Sequence, residues 1–542
     1  MKVIAAMGVS IAALGLGMAP LPAAGASAVF EGPVPRADCH GDPMQEDALQ
    51  GEVPLKDRND GRSQLGYKCN LALVGQHQGQ GAGWQNAWYD HCDYYDTKTA
   101  SGAPGGATPG NGNGNGQTSP GTQVMDVSNP AHPVLTTNLD TPAMDGPWES
   151  LKVNQKRGLL AGVGGFGSDG DGPLYFDVYD VKGDCAHPKL LSSSPIDIPI
   201  GHEGNWAPDG MTYYGTSIFT GTIAAIDVTD PTQPSWITTW KNASINHGVA
   251  LSDDGKTLYA ADPSSSNGGH NGLDIIDVGN IQGRSGGMPS STPIGSVYWT
   301  DGSTAQHPIP VFYGTHPYIV FVDEGGAGAA RIIDIADPKN PAVISKLKLQ
   351  IHMPANATVA TADTNGNGLF TYQGHYCAVD REYDPTAVAC GYFQSGIRVF
   401  DIRDPHHPRE IAYYNPPAQV AKHGQLPGSE HDGGPNNGNP PNMTADWCSS
   451  QVRFYTAPDG SHQLWAQCQD NGFMVLKFTN NAYPLASAST RFSAPAPPTS
   501  AAAGVATPNT STGAPSPVVP ATLLVLGAGL FALNRRARSK PG

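Results

Sequence analysis

Charge is scarce in this chain. Only 14% of its 542 residues are Asp, Glu, Lys or Arg, and their balance is −16. No basic run interrupts the interior, and an acidic surface repels a phosphate backbone, so nucleic acid is not an expected partner. Helical periodicity is missing too, which excludes arrays of helical repeats. No pair of cysteines has CxxC spacing, so zinc–thiolate and thioredoxin-like readings have no footing. HExxH and P-loop sequences are absent, so no such motif announces a zinc protease or a nucleotide site. What abounds is Gly (67 residues) and Pro (48 residues), the punctuation of short strands and many turns.

One phrase recurs along the chain. Residues 225–234 (AIDVTDPTQP), 332–341 (IIDIADPKNP), 399–408 (VFDIRDPHHP) and 124–133 (VMDVSNPAHP) are its clear copies. Looser copies stand at 179–188 and 275–278, and a worn one at 474–478. Each begins with an Ile- and Val-rich run that reads as a strand. Asp-Pro or Asn-Pro then turns the chain, because Pro fixes φ and the preceding side chain caps the turn. A second Pro opens another strand. The aligned positions Asp126, Asp180, Asp227, Asp277, Asp334, Asp401 and Lys477 lie 47 to 76 residues apart. Two further apolar runs fit into each gap, giving four strands per unit. That is the pattern of an all-β, seven-bladed β-propeller. The last motif strand, 472–478, has no partner after it. The strand 69–77 has no motif before it, and pairing these two closes the ring.

These units resemble the LVIVD-repeat propellers of secreted bacterial proteins, over about residues 65 to 480. The second, fourth and seventh units depart from the pattern. The resemblance implies a surface propeller and transfers no catalytic residue.

Beyond the propeller (65–484) the ends read differently. Residues 1–28 have the charge, apolar run and A-x-A site of a secretory signal, and 29–64 form an irregular arm. Residues 485–517, rich in Ala, Pro, Ser and Thr, read as a stalk. Residues 518–542 read as a hydrophobic anchor with a basic tail. The expected location is exported and held at a bacterial surface or membrane, with membrane contact only through that tail. A monomer binding an unidentified surface ligand or protein is expected. All eight cysteines lie in the exported region, where an even count implies disulfides. Cys377 with Cys390, and Cys448 with Cys468, look like local pairs. Long loops are expected at 101–117 and 424–443.

Histidine supplies the one candidate for chemistry. Stepping back 24 to 35 residues from each motif Asp reaches the start of an inner strand. There stand His91, His202, His247, His307 and His375, with Glu149 and Glu203 beside them. Three readings compete. Duplicated blades inherit the residue, and each imidazole bonds backbone or water. Alternatively, the histidines converge on a metal, for which imidazoles suit Cu, Zn or Fe, while the carboxylates orient them. Or partly protonated imidazoles, with Glu149 and Glu203, bind a polar ligand. The function expected first is a binding or scaffold module; the alternative is a metal-dependent oxidoreductase using the five histidines. The fragment 363–368 (DTNGNG) reads as an Asx/Gly turn, not a calcium loop.

Overall fold

The computed structural model describes residues 28–97, 121–164, 174–196 and 200–486, apart from 219, 244, 264–269, 285–288, 365–369, 422–425 and 427–443. The described chain forms seven small antiparallel sheets, six of four strands and one of five. Blade 1 consists of Asn86–Tyr89, Cys92–Tyr95, Thr122–Asp126 and Val134–Leu139, paired in that order. Blades 2 to 7 begin with Lys152–Asn154, Gly204–Trp206, Val249–Leu251, Ser303–Tyr313, Cys377–Val379 and Arg453–Thr456. First strands of successive blades touch one another, so they line the axis.

The motif builds the outer half of each blade. Its aspartate ends the third strand and accepts a hydrogen bond from the backbone N–H two residues on. Ser128, Lys182, Thr229, Gly279, Ala336 and Arg403 donate to Asp126, Asp180, Asp227, Asp277, Asp334 and Asp401 at 2.8–3.1 Å. The residue before Pro repeats the device, as in Thr232 N to Asp230 Oδ1 at 3.0 Å. Two successive Asx turns therefore carry the chain from third to fourth strand. A register shift just before the motif aspartate, or Lys477 in its place, recurs in all seven blades. Such a bulge bends the outer strands and adds twist. Apolar faces meet between blades: Tyr214 and Ala225 of blade 3 pack with Leu258, Ala260 and Ile276 of blade 4.

The ring closes as the sequence implies, with Leu71–His77 antiparallel to Gly472–Phe478. One strand was not anticipated. Tyr67–Cys69 pairs with Arg409–Asn415 as the fifth strand of blade 6, so the N-terminal segment laces blade 6 to blade 7. The arm before it lies along the outside. Phe30 exchanges backbone hydrogen bonds with Ile344 and Lys346 of blade 5 at 3.0 and 2.8 Å.

All eight cysteines are paired, which suits an extracellular protein. The two local pairs form, and the others are Cys39–Cys69 and Cys92–Cys185. The expected leader but for its last residue, the hydrophobic tail and nearly all of the stalk lie outside the described residues, as do the 101–117 loop and nearly all of 424–443. No helix among the described residues is long and apolar enough to cross a membrane.

Candidate metal centre

The chain approaches the axis just before each first strand. Glu149 precedes Lys152–Asn154, His202 and Glu203 precede Gly204–Trp206, His247 precedes Val249–Leu251, and His375 precedes Cys377–Val379. His307 lies within Ser303–Tyr313, beside a bulge that re-aims it. Neighbouring approaches are tied by backbone, Glu149 N–H to His202 O at 3.1 Å and Gly248 N–H to Gln306 O at 2.8 Å. The second tie needs glycine, since a Cβ on Gly248 would stand 2.3 Å from Glu203 Oε2 and 2.5 Å from Gln306 O.

Four of the five sequence-predicted histidines meet here, together with both predicted glutamates. His202 Nε2 lies 2.9 Å from His247 Nε2 and 3.2 Å from Glu149 Oε2. His247 Nε2 is 3.5 Å from Glu149 Oε2 and 3.6 Å from Glu324 Oε1. His375 Nε2 is 2.9 Å from Glu149 Oε1 and 3.2 Å from Glu324 Oε2. All five residues named, and His307 with them, are buried.

The opposite ring nitrogens of His307, His247 and His375 are held. Glu203 accepts Nδ1–H of His307 at 2.7 Å and of His247 at 3.3 Å. His375 Nδ1 donates to Ser449 O at 2.7 Å. A proton fixed on Nδ1 leaves Nε2 to point inward with its lone pair, the orientation imposed on metal-ligating histidines by an outer carboxylate or carbonyl. His375 Nε2 lies within ion-pair reach of both carboxylates but forms a well-directed hydrogen bond with neither.

Buried carboxylates facing imidazole lone pairs repel unless a cation intervenes. The side chains alone answer with protons. Burial opposes charge on His375, but Glu149 and Glu324 outweigh it and raise its pKa to about 9. Burial likewise opposes His247, and Glu149, Glu203 and Glu324 push it well above the ordinary value. Burial raises Glu203, yet His307, Lys152 and His247 pull it down to about 2. The carboxylates thus favour positive charge on these imidazoles, and a divalent ion held at Nε2 would supply it in place of protons.

His91 does not join this group. It lies in the hairpin turn after the first strand of blade 1, beside Asp90 at 3.0 Å and within 3.6 Å of the Cys185 sulfur. The long segment between the second and third strands of blade 1 stretches the interval to Asp126, so a fixed step back from the motif stops short. The equivalent approach in blade 1 carries Trp84. Cys92 and Cys185 beside His91 are bonded to each other, so they offer no thiolate to a metal.

Sequence reasoning missed Glu324, Lys152 and Tyr376. Glu324 is the next-to-last residue of the second strand of blade 5, His316–Gly325, which antiparallel pairing returns to the same mouth: Ser303 stands opposite Gly325. Scanning second-strand ends as well as first-strand starts would have found it. Lys152 Nζ lies 3.7 Å from Glu203 Oε1, and the Tyr376 hydroxyl donates to Glu149 Oε2 at 3.4 Å. Burial lowers the Lys152 pKa against the pull of Glu203 and Glu149. The remaining arc is aromatic. Trp84, Phe370, Phe393 and Trp447 cluster with Trp148; the Trp84 ring lies 5.2 Å from His375 and the Trp148 ring 5.3 Å from His202. Trp148, Phe370 and Phe393 hold positive φ of 48°, 55° and 38°, strain of the kind that gathers at functional sites.

Fold and axis together define a seven-bladed β-propeller with a buried imidazole–carboxylate centre. The family model of the LVIVD repeat matches residues 121–141, the third strand, turn and fourth strand of blade 1, so this propeller carries an LVIVD repeat in its first blade. No curated protein matches it. Among solved structures it is similar to a candidate 6-phosphogluconolactonase from Bacteroides uniformis, at 12% identity and TM-score 0.41, covering 67% of this chain and 92% of that one. It is also similar to hydrazine synthase of Kuenenia stuttgartiensis, at 13% identity and TM-score 0.39, covering 75% and 96%. Likeness at that level says nothing about activity.

Proposed function

We propose that this propeller is an exported metal-dependent enzyme, with its centre on the axis, in preference to a passive binding scaffold. The observation that carries the reading is the convergence of three imidazole Nε2 atoms on Glu149 and Glu324 at 2.9–3.6 Å, two of them with Nδ1 held from behind. Donors bonded to one ion at about 2.1 Å sit about 3.0 to 3.4 Å apart when neighbouring. A scaffold has no need of such a group, since each ion taken out of water costs several kcal/mol. Imidazole and carboxylate without thiolate suit iron, zinc or manganese, and an iron centre beside an aromatic wall fits an oxidoreductase acting on a small, partly apolar molecule. Lys152 and Tyr376 set proton donors beside Glu203 and Glu149.

Elemental analysis of the full exported chain tests this. Bound iron, zinc, manganese or copper is expected, falling at least tenfold in a folded His247→Ala variant. A folded wild type that stays metal-free after supplementation with each ion sinks the reading.

A further inference from the structure

We infer that the centre holds two cations, bridged by Glu149. The inference rests on the metal-dependent reading and extends it. One ion with bonds of about 2.1 Å keeps all its donors within about 4.2 Å of one another. The donors here gather as two triads that share Glu149, namely Glu149–His202–His247 and Glu149–Glu324–His375, each with its ligand atoms within 4.8 Å.

The two oxygens of Glu149 divide between the triads. Oε2 faces His202 at 3.2 Å and His247 at 3.5 Å, while Oε1 faces His375 at 2.9 Å. Glu324 spans the same gap, Oε1 toward His247 at 3.6 Å and Oε2 toward His375 at 3.2 Å. Two carboxylates that each offer one oxygen to either side are the bridging arrangement of a two-metal site, whose ions lie about 3.5–4 Å apart. The first position takes His202 and His247, and the second takes His375. Glu203 stands behind the first, fixing His247 by Nδ1. The occupants are divalent first-row cations, for which mixed imidazole and carboxylate donors are suited.

Titration of the metal-free full chain with Mn2+, read by calorimetry and by electron paramagnetic resonance, tests the pair. Two ions per chain and a spin-coupled signal are expected. His375→Ala and His202→Ala should each leave one ion with an uncoupled spectrum, and Glu149→Ala should weaken binding at both positions at least tenfold. Circular dichroism decides which variants are folded, and the wild-type spectrum alone suffices if one is not. One uncoupled ion in the wild type overturns the bridged pair and leaves the metal centre standing. No ion, with Mn2+, Zn2+ and Fe2+ each tried, overturns both.

Discussion

Among the described residues, two of the clusters of buried carboxylates are built in opposite ways. On the outside, Glu46 of the arm and Glu410 of blade 6 close on Arg398. Arg398 donates to Glu410 Oε1 at 3.0 Å, to Glu46 Oε1, and through Nε to Ser395 O at 2.8 Å. The outer oxygens are met as well, by Gln50 Nε2 at 2.9 Å and Gly51 N at 3.0 Å. On the axis, imidazole nitrogens face carboxylates at similar distances, but the His375 Nε2 contacts lack hydrogen-bond alignment. The contrast extends to histidine. Buried His352 accepts from Leu349 N at 2.9 Å and donates to Tyr372 O at 2.7 Å, so one neutral tautomer satisfies both nitrogens. A cluster that completes its own pairing holds structure together. One that leaves inward-facing donors unaligned is built around something else.

The sharpest way to break the comparison is Arg398→Met. Removing one member of a buried ionic group leaves the others uncompensated, so Glu46 and Glu410 should cost about 3–5 kcal/mol of stability. Metal content per folded chain should not change. If it fell, the arm would belong to the centre and the two clusters would not be independent.

A second cut severs the arm covalently. The Cys39–Cys69 bond spans a sequence separation of 30 residues, for which loop entropy gives about 3–4 kcal/mol. Replacing both by serine should lower the unfolding free energy read from urea titration by that much and leave metal stoichiometry intact. A loss below 1 kcal/mol would mean that the outer pairing holds the arm without its staple.

The blades were legible because duplication wrote them repeatedly: six aspartates end six third strands, and an unmatched strand at each end closes the ring. Much of the axial site was legible for the same reason, since His202, His247, His307 and His375 keep a near-constant offset from the motif. The offset failed where an insertion stretched it, which placed His91 on a hairpin turn and passed over Trp84. It could not reach Glu324, which arrives on a second strand and joins the site only through antiparallel pairing with the strand carrying His307. The arm was illegible because its contacts have no period. Arg398 meets Glu46 across 352 residues, and nothing local in either segment announces the other.

The smallest expected effect sharpens the histidine half of the comparison. Burial drives the His352 pKa down to about 4, outweighing the Tyr372 carbonyl that would favour its charge. In the unfolded chain the imidazole takes its proton near pH 6.5. Its folded value is the lower one, so its contribution to stability is complete above about pH 6.5. It is lost as pH falls toward 4 and is level below that, about 3 kcal/mol in all. His352→Gln keeps an acceptor for Leu349 N–H and a donor for the Tyr372 carbonyl, but takes no proton. Urea unfolding of the variant should therefore show a flatter decline between pH 6.5 and 4 than the parent. Metal content at neutral pH should be the same in both. An unchanged acid slope would mean that His352 is not buried in the neutral form, and its contrast with the axial histidines would fail.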